Sequence, residues 1–97
     1  MIIAEVTITP LGVGTSVSKY VKEAVKVLHN SGLKAATGGM STTLEAPDLD
    51  SLFKVIKKAE EAELSVGAQR ISIMIKIDDR RDKDATIDSK VRAVLGE

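Results

Sequence analysis

The chain has 97 residues, with 14 Lys and Arg against 14 Asp and Glu, 43% apolar residues, 2% aromatics, one His and no Cys. A single domain of this size holds a modest core and a stability of about 5–10 kcal/mol, which leaves little room for a deep catalytic cavity. A formal charge of zero removes the electrostatic drive toward nucleic acid or anionic membrane, and the missing thiols exclude disulfides, zinc thiolates and iron–sulfur clusters.

Met1-Ile2-Ile3-Ala4 opens the chain without a basic leader or an apolar run of transmembrane length, so a cytoplasmic protein with no membrane or nucleic-acid partner is expected. Ile2, Ala4, Val6 and Ile8 alternate with Ile3, Glu5, Thr7 and Thr9, the period of a strand, and Pro10 ends it. Leu11 to Gly14 reads as a loop. Thr15 or Ser16 then caps a helix carrying Val17, Tyr20, Val21, Ala24, Val25 and Leu28, and Gly32 takes the left-handed position after it. Leu33 to Thr37 and Met40 to Ala46 are short strands joined by Gly38-Gly39. Asp48 is the expected N-cap of a helix burying Leu49, Leu52, Phe53, Ile56 and Ala59. In the last strand Ile71, Ile73, Ile75 and Ile77 alternate with Ser72, Met74, Lys76 and Asp78, which predicts half burial. A charged linker from Asp79 to Asp84 leads to a final helix capped by Thr86, with Ile87, Val91, Val94 and Leu95 on one face.

This order predicts an α+β, ferredoxin-like βαββαβ antiparallel sheet with an extra C-terminal helix. It is one domain over residues 1–97, with its core in 1–79 and the linker and helix in 80–97. Right-handed crossovers give the spatial strand order 4-1-3-2, with the second strand on an edge protected only by Lys34. The uncovered face then shows Glu5, Thr7, Thr9, Ser41, Thr43, Glu45, Ser72, Met74 and Lys76, small mixed side chains that suit a partner or a ligand wall. A homodimer or homotetramer is expected.

Gly12-Val13-Gly14-Thr15-Ser16, between a strand and a helix, either allows a tight turn or holds an anion on backbone N–H groups. Val17 stands where a dinucleotide fingerprint needs its third glycine. Arg80 and Arg81, flanked by Asp79 and Asp82, form either a solvated loop or an inter-subunit salt-bridge network or anion clamp. The lone His29 at a helix end complements the helix dipole and has no nucleophile arranged with it. The loop after the first strand lacks the arginine of acylphosphatases, and the central strands lack the aromatics of RNA-binding domains of this fold. Phe53 has core spacing. Tyr20 either packs on the sheet or turns its hydroxyl toward the loop. On Met40 to Glu45, alternation sends Ser41, Thr43 and Glu45 to one face, which is either a solvated or oligomer-facing strand or a carboxylate flanked by hydroxyls that can orient a polar heterocycle.

Thr9-Pro10-Leu11-Gly12 with Ser16 and Val17, the block Gly39 to Glu45, and Arg70-Ile71-Ser72-Ile73 followed by Lys76 to Arg80 together resemble the small thiamine-binding, YkoF-like family over nearly the whole chain. The resemblance implies a ferredoxin-like, oligomeric, non-enzymatic binder of thiamine or its hydroxymethylpyrimidine moiety, with no other cofactor. Where the family pattern often has glycine after the methionine and after the glutamate, this chain has Ser41 and Ala46. Under that reading Glu45 meets a pyrimidine nitrogen, Thr43 or Ser41 its amino group, Met40 supplies a soft flat contact, and Thr9 and Tyr20 complete the ligand set. A second class also fits the composition: a structural or regulatory oligomerisation module that binds an anion or an amino acid.

Overall fold

A computed structural model describes residues 1–96; Glu97, the end of the expected domain, lies outside the described residues. The elements are β1 (Ile2–Pro10), α1 (Ser18–His29), β2 (Lys34–Thr37), β3 (Thr42–Ala46), α2 (Leu49–Ser65), β4 (Ile71–Asp78) and α3 (Ile87–Leu95). The four strands form one antiparallel sheet in the order β2-β3-β1-β4, the expected ferredoxin-like order read from the other edge. Among the described residues no helix is long and apolar enough to cross a membrane.

The alternation in β1 sets the layers. Register places Ala4 between Leu44 and Ile77, and Val6 between Thr42 and Ile75, so these side chains share the face covered by α1 and α2. Leu44 and Leu52 are fully buried at the centre of that layer, with Ile2, Val6, Ile8, Ala24, Leu28, Ile56 and Ala59 around them. Asp48 caps α2 as expected, its carboxylate accepting the Ser51 N–H at 2.7 Å, and this bond holds its pKa below the usual carboxylate value.

Several local expectations change. Thr15 and Ser16 do not cap α1, because Gly12 (φ +81°) and Gly14 (φ +95°) delay the helix until Ser18, with Val17 at the cap position and no side-chain cap bond. Met40 and Ser41 precede β3 instead of opening it, since the Gly38 N–H donates to the Ser41 carbonyl at 2.9 Å and closes a turn there. Phe53 is 46% exposed. The buried stripe of α2 runs through Leu52, Val55, Ile56, Ala59 and Glu63, and Phe53 falls on its margin beside Leu49, which is likewise exposed instead of buried. In β4, Ile71 and Ile73 pack against the core, whereas Ile75 and Ile77 are more than a third exposed because this strand has a neighbour on one side only.

The C-terminal helix α3 lies on the opposite face of the sheet and is held by polar ties. Thr86 and Ser89 form a reciprocal capping box. The Ile87 N–H donates to Glu45 Oε2 at 3.1 Å, Lys34 pairs with Asp88 at 3.0 Å, and Lys90 pairs with Asp78. Nearby, the N-terminal amine pairs with Asp84 at 2.8 Å. No α3 residue is buried, and Val91, Val94 and Leu95 remain exposed.

Candidate ligand-binding cleft

The β1–β3 ladder ends at the Val6–Thr42 pair, while β1 continues alongside β4 to Pro10. From Thr7 to Thr9, then, the edge of β1 that faces the hairpin has no strand beside it. A cleft of about 240 Å³ occupies this gap. One wall is apolar and comes from the cap residue Val17 and from Val21, Ala24, Val25 and Leu28 of α1; the other is the hairpin turn from Thr37 through Gly39, Met40 and Ser41 to Thr42. Three polar side chains are linked along the hairpin side: His29 Nε2 meets Thr37 Oγ1 at 2.7 Å, which meets Thr42 Oγ1 at 3.0 Å. Ser41 Oγ donates to Glu5 Oε2 at 2.9 Å. An exposed strand edge beside an apolar wall can hydrogen-bond the rim of a flat heterocycle while its faces stay dry.

Of the residues singled out from the sequence, Thr9, Met40 and Ser41 line this cleft. Thr43 lies elsewhere, in a recess of about 250 Å³ on the open sheet face with Ile3, Glu5, Lys76, Asp78 and Lys90. Glu45 lines neither. Although it points to the open face, as alternation requires, α3 covers it to 6% exposure and takes its carboxylate through Ile87 N–H, with Lys34 3.9 Å away. Tyr20 is half-buried outside the cleft, with Lys19 Nζ 5.4 Å from its ring centre.

Gly12, Gly14 and Ser16 form an exposed loop beyond the end of β1, while Arg80 and Arg81 follow β4 at the other end of the sheet, so the two expected anion segments are not brought together. Both guanidiniums are engaged locally, Arg80 by Asp82 at 2.6 Å and Arg81 by Asp79 at 2.9 Å, which raises the pKa of each arginine and lowers that of each aspartate.

Two features escaped the sequence reading. The wall of α1 valines and the Thr37–Thr42 pair become a site only through the mismatch in strand lengths, which pairing alone creates. Glu63 did leave a signal: an acid four residues after Ala59 on the Leu52–Ile56–Ala59 stripe must point inward. It is fully buried, neither carboxylate oxygen has a hydrogen-bond partner among the described residues, and burial pushes its pKa from 4.5 up to about 7.

The chain resembles known proteins along almost its full length. A UPF0045 protein of Methanothermobacter thermautotrophicus is 46% identical over 95 residues, covering 97% of this chain and 96% of the relative. The UPF0045 protein YqgV of Bacillus subtilis is 41% identical over 99 residues, with 97% and 94% covered. The crystal structure of the hypothetical protein MJ1052 from Methanocaldococcus jannaschii superimposes with a TM-score of 0.88 at 45% identity, covering 97% of this chain and 95% of that one. The family model for thiamine-binding protein matches residues 4–95, and with it the unpaired edge of β1, the hairpin turn and the wall of α1: the chain belongs to the thiamine-binding protein family.

Proposed function

We propose that the protein is a non-enzymatic binder of thiamine or its hydroxymethylpyrimidine moiety, and that the pyrimidine enters the cleft beside β1. The observation that carries this reading is the unpaired β1 edge from Thr7 to Thr9 against the apolar α1 wall. An aminopyrimidine presents alternating donors and acceptors along one rim, which backbone N–H and C=O groups can match, and its faces fit between valines and Met40. At about 240 Å³ the cleft is smaller than the roughly 300–1,000 Å³ typical of drug-sized ligands, so it suits a single ring. A thiazolium would then project past Ser41 toward the Glu5 carboxylate, whose charge suits a cation.

Val25 is half-buried in the cleft wall, so Val25→Trp blocks the space without removing a core contact. Calorimetric titration is expected to show that this change lowers affinity for thiamine and for hydroxymethylpyrimidine by about tenfold or more, with an unaltered melting temperature. If affinity persists, and falls instead in Thr43→Arg, the ligand sits in the open-face recess and the cleft assignment fails.

The proposal extends to self-association as a homodimer or homotetramer through the open sheet face. Met74 is 72% exposed there, among small side chains and next to the cross-strand pair of Glu5 and Lys76. A face carrying both signs is self-complementary across a two-fold axis, as an isologous contact requires. Light scattering at micromolar concentration is expected to give a multiple of the 10.3 kDa chain mass, and Met74→Glu to reduce it. A single-chain mass for the unaltered protein overturns this part.

A further inference from the structure

A groove on the helical side is separate from the cleft. It has a volume of about 560 Å³ and runs between α1 and α2, over Glu23 to Val27 of α1 with Asn30 and Ser31 just past its end, and over Ser51–Ala62 of α2, a length of about 16 Å along α2. Val27, Leu33, Val55 and Ala62 make it apolar, and Lys26, Lys54 and Lys58 line it from both helices. We propose that this groove binds a small amphiphile with an anionic head and an apolar body, such as a medium-chain carboxylate.

Charge and size support this occupant. Lys54 and Lys58 stand one turn apart on α2, where like charges repel, and neither has an ion-pair partner among the described residues. Lys26 has only the half-exposed Glu23, at 3.5 Å. An anion placed among the three lysines relieves that repulsion, and a hydrocarbon tail covers apolar side chains that water now touches. The Ser51 hydroxyl is engaged by the Asp48 carboxylate, whereas the Asn30 carboxamide also lines the groove and can reach the head group. A volume of this size falls in the range of small-molecule sites. Lys22 and Lys57 lie outside the lining on the same two helices, which provides a matched control.

Anilinonaphthalene sulfonate fluorescence, with octanoate and inorganic phosphate as competitors, tests the inference. The folded protein is expected to bind the dye, octanoate to displace it, and phosphate to leave it in place. Lys54→Glu/Lys58→Glu is expected to weaken binding by about tenfold or more, and Lys22→Glu/Lys57→Glu to change it by less than about twofold. Ala62→Trp, which fills the groove without altering charge, is expected to weaken binding as well. Equal losses in the two double variants would mean general charge attraction, displacement by phosphate would mean an anion site without an apolar part, and binding of an acidic helical peptide but not octanoate would mean a protein surface. Any of these overturns the proposal.

Discussion

Glu63→Leu is expected to stabilise the protein by about 3 kcal/mol at pH 8 and by much less at pH 5. The carboxyl group is fully buried in the last turn of α2, a turn without a basic residue, and its pKa stands near 7 against 4.5 in an unfolded chain. A carboxyl whose folded pKa is raised is protonated on folding. Its contribution is therefore intact below pH 4.5, declines as pH rises from 4.5 to 7, and is lost above that. The difference of about 2.5 units corresponds to about 3 kcal/mol. Leucine has similar bulk and no proton to lose. The ion-paired aspartates, whose pKa values are lowered from 3.8, change stability only at more acid pH than this interval, and the comparison with the leucine variant singles out Glu63. Urea unfolding at both pH values measures the slope; if the leucine variant keeps the slope of the unaltered protein, another group is responsible.

Glu45→Ala is expected to cost about 2–3 kcal/mol and to loosen α3. The nearly buried carboxylate accepts the Ile87 N–H at the start of that helix and stands near Lys34, and a hydrogen bond to a charged group in such a place contributes about 1.5–3 kcal/mol. Since no α3 residue is buried, few other contacts hold the helix once this one is gone. Glu45→Gln keeps an acceptor and should lose less than half as much. Protease cleavage in the segment from Asp79 to Ala85 should accelerate in the alanine variant. If instead Glu45→Gln abolishes thiamine binding with stability and cleavage unchanged, the carboxylate belongs to the ligand.

Those two glutamates also mark where the chain could be read from sequence. Alternation and capping residues sufficed for β1, β4 and the Asp48 cap, because each is decided within a few residues. The same alternation correctly put Glu45 on the face away from α1 and α2. What covers that face depends on where an amphipathic segment forty residues later comes to rest, and no local period carries that information. Of the candidate site, Thr9, Met40 and Ser41 were visible as strand residues, although Met40 and Ser41 lie in the turn before β3. Their meeting with the α1 valines was not, since it follows from β3 stopping short of β1's full length. Phe53 shows the same limit within a helix: an aromatic one position beyond the buried stripe satisfies helical spacing yet faces water.

The central position of β1 has a consequence for biosynthesis. Ile2–Pro10 is the first strand to leave the ribosome, yet it must lie between β3 and β4, and β4 is complete only at Asp78. At translation rates of about 5–20 residues per second, the apolar edge of β1 waits roughly 3–15 s for its last partner. Closure of the sheet on that side therefore comes last, and the nascent chain passes through a stage in which β1, β2 and β3 can pair while one flank of β1 remains open to chaperones or to another nascent copy.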